Sequence, residues 1–138
     1  MFRVLVVDDE PAVLEYLCGI IEEKCPELTV AATAADGREG LERFRECIPD
    51  LIISDVKMPV MDGVDMIRAV KELGEEIPVL LLSGYQEFAY VKTALTYGAA
   101  DYILKPVTTK RFMEAMEPAL GLLRQKAHEQ RGKLARSL

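Results

Sequence analysis

The sequence holds one histidine and three cysteines in 138 residues, which leaves little for soft-metal or thiol chemistry. Cys18, Cys25 and Cys47 form no Cys-x-x-Cys pair and His128 stands alone near the end, so a Cys/His zinc site is not expected. Cys18 and Cys25 lie seven apart, on one side of a predicted helix, and read as packing residues. No run approaches 18 apolar residues, which excludes a membrane-spanning helix. The opening stretch turns acidic at Asp8, before any cleavage-like segment, so no signal peptide is read there. Neither Gly-x-Gly-x-x-Gly nor a Gly-rich loop ending in Gly-Lys-Ser/Thr follows any apolar run, so the backbone cradle of a nucleotide-binding module is missing. These absences together predict a soluble, cytoplasmic chain.

Basic charge is scarce and unevenly placed. Seventeen Lys and Arg stand against 23 Asp and Glu, a net charge of −6. Residues 124–138 hold five of the basic groups and one acid, which leaves 12 basic and 22 acidic groups in residues 1–123. A body that acidic repels a phosphate backbone, so direct nucleic-acid binding is not expected of it.

Half of the residues are hydrophobic, enough for the core of one domain. They alternate between short continuous runs and amphipathic stretches. Residues 3–7, 29–33, 50–54, 78–82 and 102–104 read as strands, the first as a strand covered on both faces. Helices are expected from Pro11 to about Lys24, after Asp36, from about Val64 to Leu73, from about Glu87 to Tyr97 before Gly98, and after Thr108 or Thr109. Gly40 counts as a mild cost within the second helix. Pro118 falls inside the last, where it removes a donor and clashes one turn back at roughly 3 kcal/mol, so a kink or a break is expected between Glu114 and Pro118. Five strand–helix pairs imply an α/β fold, a doubly wound parallel sheet whose ligands gather at the carboxyl ends of the strands.

Those ends carry Asp8 and Asp9, Asp55, Ser83 and Lys105. Asp8 and Asp9 could serve merely as helix-capping acids and Ser83 as a turn residue, but all five converge on one edge of the predicted sheet. Two like charges ~4 Å apart near a protein surface repel by roughly 4 kcal/mol, so three carboxylates need positive company. Lys105 offsets one, and a hard divalent cation with oxygen ligands, Mg²⁺ in character, offsets the rest. Such a set is equipped for phosphoryl transfer, with a carboxylate as the nucleophile.

The landmarks Val7-Asp8-Asp9-Glu10-Pro11, Asp50 through Pro59, Met61-Asp62-Gly63, Leu82-Ser83-Gly84-Tyr85 and Gly98 through Pro106 stand in an order and spacing that resembles the receiver domain of two-component response regulators. The resemblance covers about residues 2–123. It implies a flavodoxin-like, CheY-like sheet of order 2-1-3-4-5, with residues 1–123 as the receiver and 124–138 as a basic helical extension or the start of a linker. Asp55 would accept a phosphoryl group from a sensor histidine kinase. Asp8, Asp9, Asp55 and the backbone carbonyl of Lys57 would hold Mg²⁺ (or Mn²⁺), while Lys105 and Ser83 would meet the phosphoryl oxygens. Tyr102 takes the place of the family's switch aromatic, and the Lys105–Pro106 bond would be cis. Lys57 and Tyr85 occupy the positions that tune the lifetime of the phosphorylated state. The domain would catalyse its own phosphorylation and dephosphorylation without being a classical enzyme.

Phosphorylation would reshape the face made by the fourth helix, the fifth strand and the fifth helix. Phe88, Val91, Ala94, Leu95 and Tyr97 supply it with apolar surface, and homodimerisation would use that face, with Lys92 and Arg111 pairing with acids across a two-fold. The stretch Leu82–Tyr90 is most similar to receivers joined to AraC-type helix-turn-helix domains, which would bind DNA. The chain is therefore expected to be a piece of a longer regulator, with a stand-alone regulator as the alternative. Three rivals remain. A haloacid-dehalogenase-type phosphatase wants an acid two residues after its nucleophile, where Lys57 stands. A nucleotide-binding module lacks its glycine loop, and nothing in the residues recommends a scaffold that accepts no phosphate.

Overall fold

Each apolar run becomes a strand of one sheet in the computed structural model, which describes residues 1–84 and 88–137. The strands are β1 (Phe2–Val7), β2 (Leu28–Ala34), β3 (Leu51–Asp55), β4 (Val79–Ser83) and β5 (Asp101–Leu104). Between and after them run α1 (Pro11–Lys24), α2 (Gly37–Cys47), α3 (Gly63–Glu72), α4 (Phe88–Thr96) and α5 (Thr109–Ser137). All neighbouring strands pair in parallel, in the order β2-β1-β3-β4-β5.

The strand side chains alternate between two cores because successive residues point to opposite faces. Val4, Val6, Leu51, Ile53, Leu80, Leu82 and Ile103 pack against α1 and α5. Leu5, Val7, Ile52, Val79 and Leu81 pack against α2, α3 and α4. Burial on both faces explains why the central strands read as unbroken apolar runs. Cys25 is buried just beyond α1, its Sγ 3.8 Å from Met113 Sδ, and Cys18 packs at the margin of the same core. Burial raises both thiols above their usual range.

Local chemistry fixes the helix ends. Pro11 opens α1. Asp36 caps α2 by accepting from Glu39 N–H at 2.8 Å, Asp62 caps α3 by accepting from Asp65 N–H at 2.9 Å, and Thr108 Oγ1 accepts from Arg111 N–H at 3.2 Å. Gly98, with φ of 102°, ends α4 in a Schellman turn: its N–H bonds the Leu95 carbonyl and that of Ala99 bonds the Ala94 carbonyl.

Of the kink or break expected near Pro118, the break does not occur: helix α5 runs continuously through it. Pro118 faces solvent, where water can bond the carbonyl that loses its partner. Met116, Ala119, Leu120 and Leu123 on the opposite side are buried and hold both halves to one core. Gly40, beside its helix-propensity cost, sits in tight packing, since a Cβ there would meet Met66 Sδ at 2.7 Å and Val7 Cγ2 at 3.2 Å. The basic end of α5 is partly docked: Arg124 Nε donates to Glu27 Oε2 at 2.9 Å and Lys126 Nζ to the Glu76 carbonyl at 3.3 Å. Among the described residues no helix is long and apolar enough to cross a membrane.

Candidate functional site

Strand register decides which polar groups meet. Val7 lies opposite Ser54, Asp55 opposite Leu82, and Ser83 opposite Leu104. The chain therefore leaves β1 at Asp8, β3 at Asp55, β4 at Ser83 and β5 at Lys105 along one edge. Backbone bonds extend the alignment, from Val56 N–H to the Leu82 carbonyl at 3.1 Å and from Lys105 N–H to the Ser83 carbonyl at 2.7 Å. The Lys105–Pro106 peptide bond is cis.

Lys105 Nζ donates to Asp55 Oδ2 at 3.0 Å and stands 3.7 Å from Asp8 Oδ2 and 3.9 Å from Glu10 Oε1. Asp8 is fully buried and Asp55 is 3% exposed. Asp8 Oδ1 accepts the Glu10 N–H at 2.9 Å, but its buried Oδ2 receives no hydrogen bond from the described residues. Burial pushes the Asp8 carboxyl above its ordinary range against the pull of the Glu10 N–H and Lys105, with Asp9 and Glu10 adding repulsion. Burial lowers the Lys105 ammonium, but the bond and charge of Asp55, joined by Asp8 and Glu10, more than compensate and raise it.

Asp8, Asp9 and Glu10 bring carboxylate oxygens within 4.8 Å of one another, with Asp9 and Glu10 on the solvent side. This is an all-oxygen donor set with one orphaned buried oxygen and an open face, which fits a hard divalent cation that keeps several waters. Ser83 is buried, and among the described residues its hydroxyl makes a single long bond, of 3.4 Å, to the Gly84 carbonyl. Tyr102 is 41% exposed and lies outward, its N–H bonded to Asp101 Oδ1 at 2.8 Å. Lys57 is exposed, its Nζ 5.1 Å from the centre of the Tyr90 ring on α4. A contact of this type at an exposed site is worth about 0.5–1 kcal/mol. Tyr85, the second position assigned to phosphate lifetime, lies outside the described residues. So does the side chain of Phe88.

Three contributors escaped sequence reasoning. Glu10 faces Lys105, and its place in an unbroken acidic run was the available signal. Gly63 lets α3 begin directly against the end of β3, because a Cβ there would collide with the Asp55 carbonyl. Its N–H also bonds the Val56 carbonyl at 2.8 Å and closes the loop that carries Lys57. Tyr90 could not have been paired with Lys57 before α4 was placed.

A sheet of order 2-1-3-4-5 with buried carboxylates, a hydroxyl and a lysine at its carboxyl edge defines the CheY-like receiver class. Residues 4–117 match the response regulator receiver domain family, and the chain belongs to it. It is 34% identical over 132 residues to the uncharacterized transcriptional regulatory protein YesN of Bacillus subtilis, an alignment covering 95% of this chain and 36% of YesN. Among solved structures, the response regulator receiver domain protein of Clostridium thermocellum superposes with a TM-score of 0.79 at 31% identity, over 92% of this chain and 98% of that one. The CheX–CheY–BeF3–Mg complex of Borrelia burgdorferi gives a TM-score of 0.79 at 26% identity, covering 86% and 89%. The chain spans between about a third and a half of the first curated relatives it matches.

Proposed function

We propose that Asp55 accepts a phosphoryl group from the phosphohistidine of a sensor histidine kinase. The observation that carries this reading is the buried Asp55 carboxylate bonded at 3.0 Å by Lys105, beside an Asp8 whose Oδ2 is buried without a donor. In the transfer an Asp55 oxygen attacks phosphorus in line, the P–N bond breaks, and its electron pair leaves with the imidazole, which takes up a proton. The Lys105 ammonium stands where charge develops on the phosphoryl oxygens, and the Ser83 hydroxyl is free to turn from its long bond toward one of them. Asp8, Asp9, Asp55 and the backbone carbonyl of Lys57 would hold Mg²⁺ (or Mn²⁺), which when bound neutralises those same oxygens. The likeness to a neighbour described with BeF3 and Mg supports this choice. Hydrolysis of the acyl phosphate returns inorganic phosphate, with Lys57 and Tyr85 setting how readily water arrives.

The phosphoryl group adds roughly −1.5 to −2 charges at the end of β3. Ser83 and Lys105 move toward it, and Tyr102 turns inward from its outward position. The α4–β5–α5 face changes in response. On α4, Val91 and Ala94 are committed to the core, whereas Leu95 is 42% exposed and Lys92 lies in solvent. Those outward groups, with Tyr102 and Arg111, are the surface offered for homodimerisation or for an output domain. Residues 1–123 act as the receiver, in the cytoplasm, and 124–138 lead toward a transcriptional output domain of the AraC type. The greater length of relatives named as transcriptional regulators favours this over a stand-alone regulator.

Intact mass after incubation with acetyl phosphate tests the reading. A gain of about 80 Da that requires Mg²⁺ and disappears in Asp55→Asn is expected. A gain that survives in Asp55→Asn or in EDTA would refute it.

A further inference from the structure

Lys57 lies two residues beyond Asp55, yet the partner of its ammonium belongs to another element. Nζ stands 5.1 Å over the ring of Tyr90, which is 40% exposed on α4. Among the described residues no carboxylate comes within ion-pairing distance of that ammonium. The ring borders a cleft of about 270 Å³ between α3 and α4, shared with Asp62, Asp65 and Thr93. A second contact of the same kind, with Arg68 of α3 4.6 Å over the ring of Tyr97 just beyond α4, does not involve the loop that follows Asp55.

We propose that Tyr90 is a positioning residue that competes with a phosphoryl group on Asp55 for the Lys57 ammonium, and so couples α4 to the state of Asp55. The inference rests on the phosphoacceptor reading above. Two residues of chain span at most about 7 Å, and a lysine stem is long enough to bring its ammonium back over that distance. An aromatic face attracts a cation only through its quadrupole, whereas a phosphoryl group offers full charges and three acceptor oxygens. With Asp55 unmodified the ring holds the ammonium and α4 is clasped to the acceptor loop. With Asp55 phosphorylated the ammonium is drawn away and α4 loses that tether. Coupling of this kind is reciprocal, so whatever the ring contributes to holding Lys57 is subtracted from affinity at Asp55.

The test is titration with beryllofluoride in Mg²⁺, followed by NMR. Tyr90→Leu should bind beryllofluoride about two- to fivefold more tightly than wild type, the worth of an exposed cation–π contact expressed as a ratio. Tyr90→Phe, which keeps an aromatic face, should remain near the wild-type affinity. In a Lys57→Met background Tyr90→Leu should change nothing, and Arg68→Met, which removes the second contact together with an exposed ion pair to Asp65, should leave affinity unaltered. The Lys57 ε-methylene signal should lose its ring-current shift when beryllofluoride binds. Unchanged or weaker binding by folded Tyr90→Leu would overturn the proposal, as would tightening that persists without Lys57 or is matched by Arg68→Met. If wild type itself fails to bind beryllofluoride at Asp55, the phosphoacceptor reading fails and takes this inference with it.

Discussion

Replacing Asp8 with Asn should stabilise the metal-free domain while removing its response to Mg²⁺. Lys105 Nζ at 3.7 Å attracts the Asp8 carboxylate by about 4 kcal/mol at an effective dielectric of 20. Against this stands Asp55, no more than about 7 Å away through the shared ammonium, which repels by roughly 2–3 kcal/mol. Asp9 and Glu10, within 4.8 Å but on the solvent side, add about 1 kcal/mol each at the dielectric of water. The charge terms nearly cancel, so the outcome is decided by the desolvation of a fully buried carboxylate, several kcal/mol in typical proteins. That is why the Asp8 pKa is raised with burial as the leading cause. An amide retains the bond from Glu10 N–H and sheds most of the ionic penalty, for a gain of about 0.5–2 kcal/mol. Urea unfolding followed by circular dichroism, in EDTA and in saturating Mg²⁺, is the assay. Wild type should gain stability from Mg²⁺ by mass action and Asp8→Asn should not. Loss of stability by the variant in EDTA, or an equal response of both proteins to Mg²⁺, would refute the reasoning.

Three further outcomes follow from the geometry. Gly63→Ala places a methyl group against the Asp55 carbonyl, and should cost about 1–3 kcal/mol in urea unfolding and slow phosphorylation by acetyl phosphate; a neutral substitution would show that α3 moves freely relative to β3. Val60, 77% exposed at φ of 69°, holds a branched side chain in the left-handed region with no burial to offset it, so Val60→Gly should stabilise by about 1 kcal/mol, a sign that the same assay would check. The Arg124 hydrogen bond holds the Glu27 carboxyl below its ordinary range. Its contribution is therefore present above the unfolded pKa and is lost as pH falls through the lower folded one. The midpoint difference between wild type and Arg124→Ala should shrink with acid and with salt, and a difference that stays constant to about pH 3 would contradict the assignment.

The parallel sheet and the polar residues at its edge were legible because their signals are local. Buried parallel strands are short apolar runs, and the residue that ends each run falls at the same edge. Helix caps such as Asp36 and the turn at Gly98 were legible for the same reason, since each needs one residue type at one position. What escaped depends on distance between elements. Gly63 looks permissive in sequence and becomes obligatory only when the Asp55 carbonyl fills the space beside it, and the close approach of Met66 to Gly40 likewise arises only on packing. Pro118 carries a local penalty that the flanking buried residues of α5 outweigh once packed. Lys57 was legible only through its place two residues after Asp55, as a position for metal and phosphate lifetime, and its aromatic partner comes from a helix 33 residues further along the chain.

Chemical location of the phosphoryl group tests the central claim most directly. The protein would be phosphorylated with acetyl phosphate in Mg²⁺ and the acyl phosphate reduced with borohydride, which converts a phosphorylated aspartate to homoserine that peptide mass spectrometry can place. Homoserine at Asp55 alone is the predicted result. Homoserine at Asp8 or Asp9, or stable phosphate on Ser83 or His128, would contradict it.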